Sequence, residues 1–123
     1  MGWDISYLSD EKIVLVRVVG EHDISDIGTM SVSPMALAEE KGTTKFIVEL
    51  SEGVPMLSTV DVYRMPELLK VMGFKRHSNV ALVHLAKGKA GRTFDFMETV
   101  FSNQGISFRS FDKLNDALEW LRC

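Results

Sequence analysis

The chain has 123 residues, 46% of them hydrophobic and 25% charged, which is the balance of one folded domain with its own core rather than of a disordered tail or a membrane protein. A formal net charge of −3 excludes a general binder of nucleic acid or anionic membrane, since such surfaces are built from an excess of lysine and arginine. The single cysteine, Cys123, excludes an internal disulfide and a cysteine metal cluster, and agrees with a reducing cytoplasm.

The opening Met-Gly-Trp-Asp-Ile-Ser has no basic segment leading into an apolar one, so no secretory signal is expected. No apolar run approaches the length of a membrane span, and a cytoplasmic protein is the expectation. Trp3, Ile5 and Tyr7 alternate, Ser9-Asp10-Glu11 turns, and a β-branched run from Lys12 to Val19 follows and ends at Gly20; together these predict a β-hairpin. Asp23 is placed to cap a short helical turn through Ile24 and Ile27, interrupted by Gly28 and Ser31-Val-Ser-Pro34. Ser33 and Pro34 then read as cap and first residue of a helix from about 34 to 41, which stops at Gly42.

Residues 44–50, with Phe46-Ile-Val48 and Leu50, predict a buried strand. Ser58-Thr-Val-Asp61 has the spacing of a capping box with Asp in the usual Glu or Gln place. Met65, Leu68, Leu69 and Met72 recur as the stripe of a helix packed on a sheet, with Pro66 either kinking that helix or starting its main part, and Gly73 stopping it. Residues 79–85 predict a further buried strand. A loop from Ala86 to Arg92 leads into a helix with Phe94, Met97, Val100 and Phe101 inward, stopped by Gly105. Ile106, Phe108 and Phe111 predict a last strand, and Asp112 a cap for a final helix with Leu114, Ala117, Leu118 and Leu121 inward.

The order is thus β-β-α-β-α-β-α-β-α in one α/β domain spanning 1–123. About five strands form a mixed, mostly parallel sheet with about four helices, right-handed crossovers and an antiparallel first strand at the edge.

On these elements the chain resembles the STAS domains, the anti-anti-sigma-factor fold. The hairpin, the strand Phe46-Ile-Val-Glu-Leu-Ser51 and the distance from it to Ser58 are similar to the approach to the phosphorylatable serine in that family. The close of the chain, Phe111-Asp-Lys-Leu-Asn-Asp-Ala-Leu-Glu-Trp-Leu121, resembles the SpoIIAA-like branch, whose fold is related to CRAL-TRIO lipid-binding domains. The resemblance covers nearly the whole chain and implies a bacterial regulatory or protein-interaction module. STAS antagonists have an Asp-Ser-Ser/Thr-Gly-like turn at the helix start. Here Leu57-Ser58-Thr59-Val60 keeps the serine without the preceding acid or the following glycine, so the phospho-serine motif is not intact.

Four candidate sites follow. Ser58 is a phosphoacceptor at a helix N-terminus or a plain helix cap. Ser51, Glu52, Ser58, Thr59 and Asp61 form a candidate interaction surface for a protein partner. Lys87, Gly88, Lys89, Gly91 and Arg92 form a candidate anion-binding turn, though their order is not that of a P-loop. Met30, Met35, Met56, Met65 and Met72 can line an apolar pocket between the first two helical regions. That pocket carries the alternative reading, a carrier of a small apolar or acyl ligand with its acidic head near Lys87, Lys89 or Arg92.

His22 between Glu21 and Asp23 lacks metal-ligand spacing, His77 lies at the opposite rim of the sheet from the 87–92 turn, and His84 reads as a hydrogen-bonded core histidine. No catalytic set can be assembled, so the chain reads as a binder rather than an enzyme, with no cofactor, no metal and no nucleic acid. Apolar helix surface can also pair two copies as a homodimer.

Overall fold

The computed structural model describes residues 2–122; Met1 and Cys123, on which the leader and disulfide expectations bear, lie outside the described residues. The elements are β1 (Gly2–Leu8), β2 (Ile13–His22), α1 (Ile24–Lys41), β3 (Lys45–Pro55), α2 (Thr59–Val71), β4 (Asn79–Val83), α3 (Gly88–Asn103), β5 (Ser107–Phe111) and α4 (Leu114–Arg122). Five strands form one sheet in the order β1-β2-β3-β4-β5. β1 is the antiparallel edge, and the remaining neighbours pair in parallel. This is the α/β order expected from the sequence.

Strand alternation divides the core in two. Val14, Val16 and Val18 of β2, Phe46 and Leu50 of β3, and Val80 and Leu82 of β4 point to one face, where they pack with Met30, Val62, Met65, Phe94, Met97 and Phe101 from α1, α2 and α3. Ile13, Ile47, Ala81 and Val83 point to the other face, where they pack with Ala117 and Leu121 of α4. Gly42 closes α1 in the left-handed conformation (φ 68°), which only glycine adopts without strain, and its N–H reaches back to the carbonyls of Ala38 and Glu39.

The structure corrects several boundaries. Residues 24–41 form one continuous helix, not a short turn followed by a helix from Ser33-Pro34. Asp23 nucleates it through a capping box: its side chain accepts from the Asp26 N–H, and the Asp26 carboxylate accepts from the Asp23 N–H at 2.8 Å. Met30, Pro34 and Ala38 recur every fourth residue and are buried, so packing on the sheet outweighs the one backbone bond that Pro34 cannot make. Pro66 likewise lies buried inside α2 rather than at its start.

β3 does not stop at Leu50. β2 continues past Gly20 to His22, and after a register shift between Arg17 and Val19 the two strands stay paired through Glu21–Val54 and His22–Pro55. β4 ends at Val83, one residue short of His84, and α3 already begins at Gly88, so the expected 86–92 loop is mostly helix. α4 begins at Leu114, which makes Lys113 the residue before it and leaves Asp112 outside the cap position.

Replacing Asp23 by Ala should lower stability by about 1 kcal/mol, read from the urea midpoint, whereas Asp23→Ser should stay close to wild type.

Candidate functional site

The four parallel strands β2, β3, β4 and β5 deliver their carboxyl ends to one rim. Met56 N–H donates to the His22 carbonyl at 2.7 Å, which ties the exit of β3 to the end of β2. The chain then turns into α2 at Ser58. The Ser58 hydroxyl accepts from the Asp61 N–H at 3.0 Å, and the Asp61 carboxylate accepts from the Ser58 N–H at 2.9 Å. Ser58 and Asp61 therefore form a closed reciprocal cap, with Thr59 exposed beside it. Along the chain on either side of it, apolar side chains are left in solvent: Val54 is 45% exposed, Met56 53%, Val60 55% and Tyr63 71%.

Ser51 and Glu52 belong to the same stretch but point elsewhere. Ser51 N–H donates to Glu49 Oε1 at 2.7 Å, and Arg17 Nε donates to Glu49 Oε2 at 3.1 Å. Partial burial raises the Glu49 carboxyl, but the bonds from Ser51 and Arg17 outweigh it and hold the group below its ordinary value. This ion pair lies on the face that α4 only partly covers, away from the α2 cap. Glu52 is exposed opposite Val19.

Lys87, Gly88, Lys89, Gly91 and Arg92 gather at the start of α3. Lys87 occupies the cap position without a side-chain hydrogen bond, and the first turn contains no acid. Gly91 is buried against the chain, where a Cβ would meet the Ala86 carbonyl oxygen at 2.9 Å, so this turn tolerates no side chain there. The three cations are exposed.

Beneath the helix layer lies an apolar cavity of about 130 Å³. Val16, Val18 and Leu50 form its floor, and Met30, Pro34, Met65 and Phe94 are among its walls. Of the five methionines named above, Met30, Met35 and Met65 line this cavity; Met72 and Met35 border a neighbouring cleft, and Met56 is exposed. Lys87, Lys89 and Arg92 are not among its lining residues.

The sequence reading missed His22 as part of this wall. It is 3% exposed, lines the cavity, and its Nδ1 is buried with no hydrogen-bond partner. Burial lowers its pKa, against the pull of a hydrogen bond with the Gly20 backbone and the carboxylates of Asp26 and Asp23. The signal was present in the phase of the strand: Val14, Val16, Val18, Gly20 and His22 share one face, so a strand continued past Gly20 turns His22 inward.

His84 sits just past β4 with its ring 4.2 Å from that of Phe94, and Nδ1 accepts from the Ala86 N–H at 3.2 Å. Its Nε2 is buried without a partner, and burial lowers its pKa. His77 is exposed, at the amino end of β4.

Two measurements follow. Ser58→Ala should cost about 1 kcal/mol, while Ser58→Asp, another good cap, should unfold near the wild-type midpoint. Burial holds the pKa of His22 and of half-buried His84 below that of a free imidazole, so the unfolded chain takes up protons first as pH falls. Thermal stability should therefore drop as pH is lowered through about 6.5. The drop should level off below the folded pKa values and be shallower in His22→Leu.

No protein-family model matches this chain, and no curated protein matches it significantly. Solved structures do. An uncharacterized protein of the DUF3478 family with a SpoIIAA-like fold, from Shewanella loihica PV-4, is 20% identical, with 98% of this chain and 92% of that chain covered and a TM-score of 0.58. The anti-sigma factor antagonist SpoIIAA in its unphosphorylated form is 17% identical, with 98% of each chain covered and a TM-score of 0.55. The order of strands and helices, the antiparallel edge and these full-length superpositions together identify the fold of this chain as SpoIIAA-like, the STAS-type α/β fold.

Proposed function

We propose that the chain is a non-catalytic regulatory module of the SpoIIAA-like type that binds a protein partner through the end of β3 and the first turns of α2. The observation that carries this reading is the exposure of Val54, Met56, Val60 and Tyr63 within ten residues around the Ser58 cap. Large apolar side chains in such density on a surface mark a contact site more often than a solvent face. Asp61 borders the group, so the complementary surface is apolar with a flanking cation. The SpoIIAA structure is named for an antagonist of an anti-sigma factor, which supports a protein as the partner.

Ser58 serves here as the cap of α2, since its hydroxyl is already engaged with the Asp61 N–H. It lacks the flanking acid and glycine of the STAS motif. The cavity favours a second reading, a carrier of a small apolar ligand; native mass spectrometry of freshly purified protein should then show a bound mass that denaturation removes.

The partner reading is tested by affinity capture with wild type, with Val60→Glu/Tyr63→Glu, and with Lys113→Glu just before α4, the helix on the other face of the sheet. A protein retained by wild type and Lys113→Glu should be lost from the double variant at an unchanged melting temperature. Ser58→Asp and Ser58→Ala should both retain it. Equal capture by the double variant would remove the surface from consideration.

A further inference from the structure

α2 packs against both α1 and α3, and its two long faces differ. Val62, Met65 and Pro66 are buried on the inner one. The opposite stripe is Val60, Arg64, Glu67 and Val71, spaced i, i+4, i+7, i+11 and so confined to about 60° of the helix circumference. All four are exposed. Val71, at 78%, and Tyr63 are the two most exposed large apolar side chains among the described residues, and both belong to this helix. Arg64, Glu67 and Lys70 enter no ion pair among the described residues, so the charges of the stripe are unmatched within the chain.

The stripe is complementary to itself. Read toward the carboxyl end it runs apolar, basic, acidic, apolar, in steps of four, three and four residues that are the same in reverse. A second α2 laid antiparallel along it, about a two-fold axis level with the Met65–Pro66 bond, sets Val60 against Val71 and Arg64 against Glu67, each pair twice. Lys70 then lies within a turn of Tyr63 of the second copy, whose ring face attracts a cation. A parallel pair would instead set Arg64 against Arg64 and Glu67 against Glu67. The charges therefore favour one arrangement and oppose the other.

We propose that α2 pairs antiparallel with α2 of a second copy of this chain, through Val60, Arg64, Glu67 and Val71. The proposal rests on the exposed surface of the partner reading above and gives that surface a regulation. Pairing covers Val60 and places Tyr63 at the seam, so self-association and partner binding exclude each other. α2 has 13 residues, about 20 Å of axis, and the contact falls at the small end of protein interfaces, below about 1,200 Å² in total. Such a pair exchanges freely with single copies, which leaves the surface open to a partner when the chain is dilute.

Sedimentation equilibrium of the full chain at low salt, over about 10 to 500 μM, should show a reversible monomer–dimer equilibrium. Arg64→Glu and Glu67→Arg each turn both attractive pairs repulsive and should weaken association by about tenfold or more. An equimolar mixture of these two variants should dimerise at least as well as wild type, because every charge on one then faces its opposite on the other. Arg64→Glu/Glu67→Arg should pair like wild type. The substituted positions are exposed, so the variants stay folded. A wild type that remains monomeric over the whole range overturns the pairing, as does an association that neither single substitution weakens, or a mixture of the two variants that fails to dimerise. The partner reading is decided separately by the capture experiment: equal capture by Val60→Glu/Tyr63→Glu removes that reading and leaves the sedimentation result as it is.

Discussion

The structure depends on one topological constraint: the strands lie in the sheet in the order in which they occur in the chain. Right-handed crossovers that never double back must all pass over the same face, so α1, α2 and α3 share it. Five strands about 4.8 Å apart make a sheet roughly 20 Å wide, and three helices about 10 Å across fill that width. The other face receives only α4, nine residues and thus about 13 Å long. It touches β3, β4 and β5, reaches the start of β2 at Ile13, and leaves the rest of the β1–β2 side to solvent. The residues there follow suit, with Asp4, Ser6 and Arg17 exposed and Glu49 drawn into an ion pair.

The crowded face also holds the cavity. An unfilled space of about 130 Å³ in a core costs roughly 3 kcal/mol of stability relative to close packing. That is a large share of what a domain of this size has in reserve. The walls contain Met30, Met35, Met65 and Met97, unbranched side chains that can change shape as a space fills or empties. A core selected only for stability would close such a gap with one larger residue.

Much of the architecture was legible because its signals are local. The Ser58–Asp61 spacing reads as a capping box and is one, and the Phe46-Ile-Val48 run reads as a buried strand and pairs on both sides. What failed was judged on local punctuation that tertiary packing overrides. Pro34 looks like a helix start until the burial of Met30, Pro34 and Ala38 against the sheet is known. Gly20 looks like a strand end until β3 offers a partner for Glu21 and His22. The second error hid the most informative residue, because a histidine in a surface turn and a histidine in a cavity wall differ only in whether the strand continues. The methionines were visible by count. Which of them share a space depends on α1 crossing α2, and no spacing within either helix encodes that.

The prolines inside α1 and α2 have a mechanical consequence. Pro34 and Pro66 each lack the N–H that would bond the carbonyl four residues earlier, so Met30 and Val62 are not joined to them as a regular helix would require. Each helix is thereby divided into two segments coupled by one bond fewer than its neighbours. Both prolines are buried, and Pro34 stands in the cavity wall itself. The roof over the cavity is thus articulated at the points that face inward, and half a helix can lift while the other half stays seated on the sheet. Lifting one or two helical turns is therefore a smaller deformation of this layer than unfolding the domain.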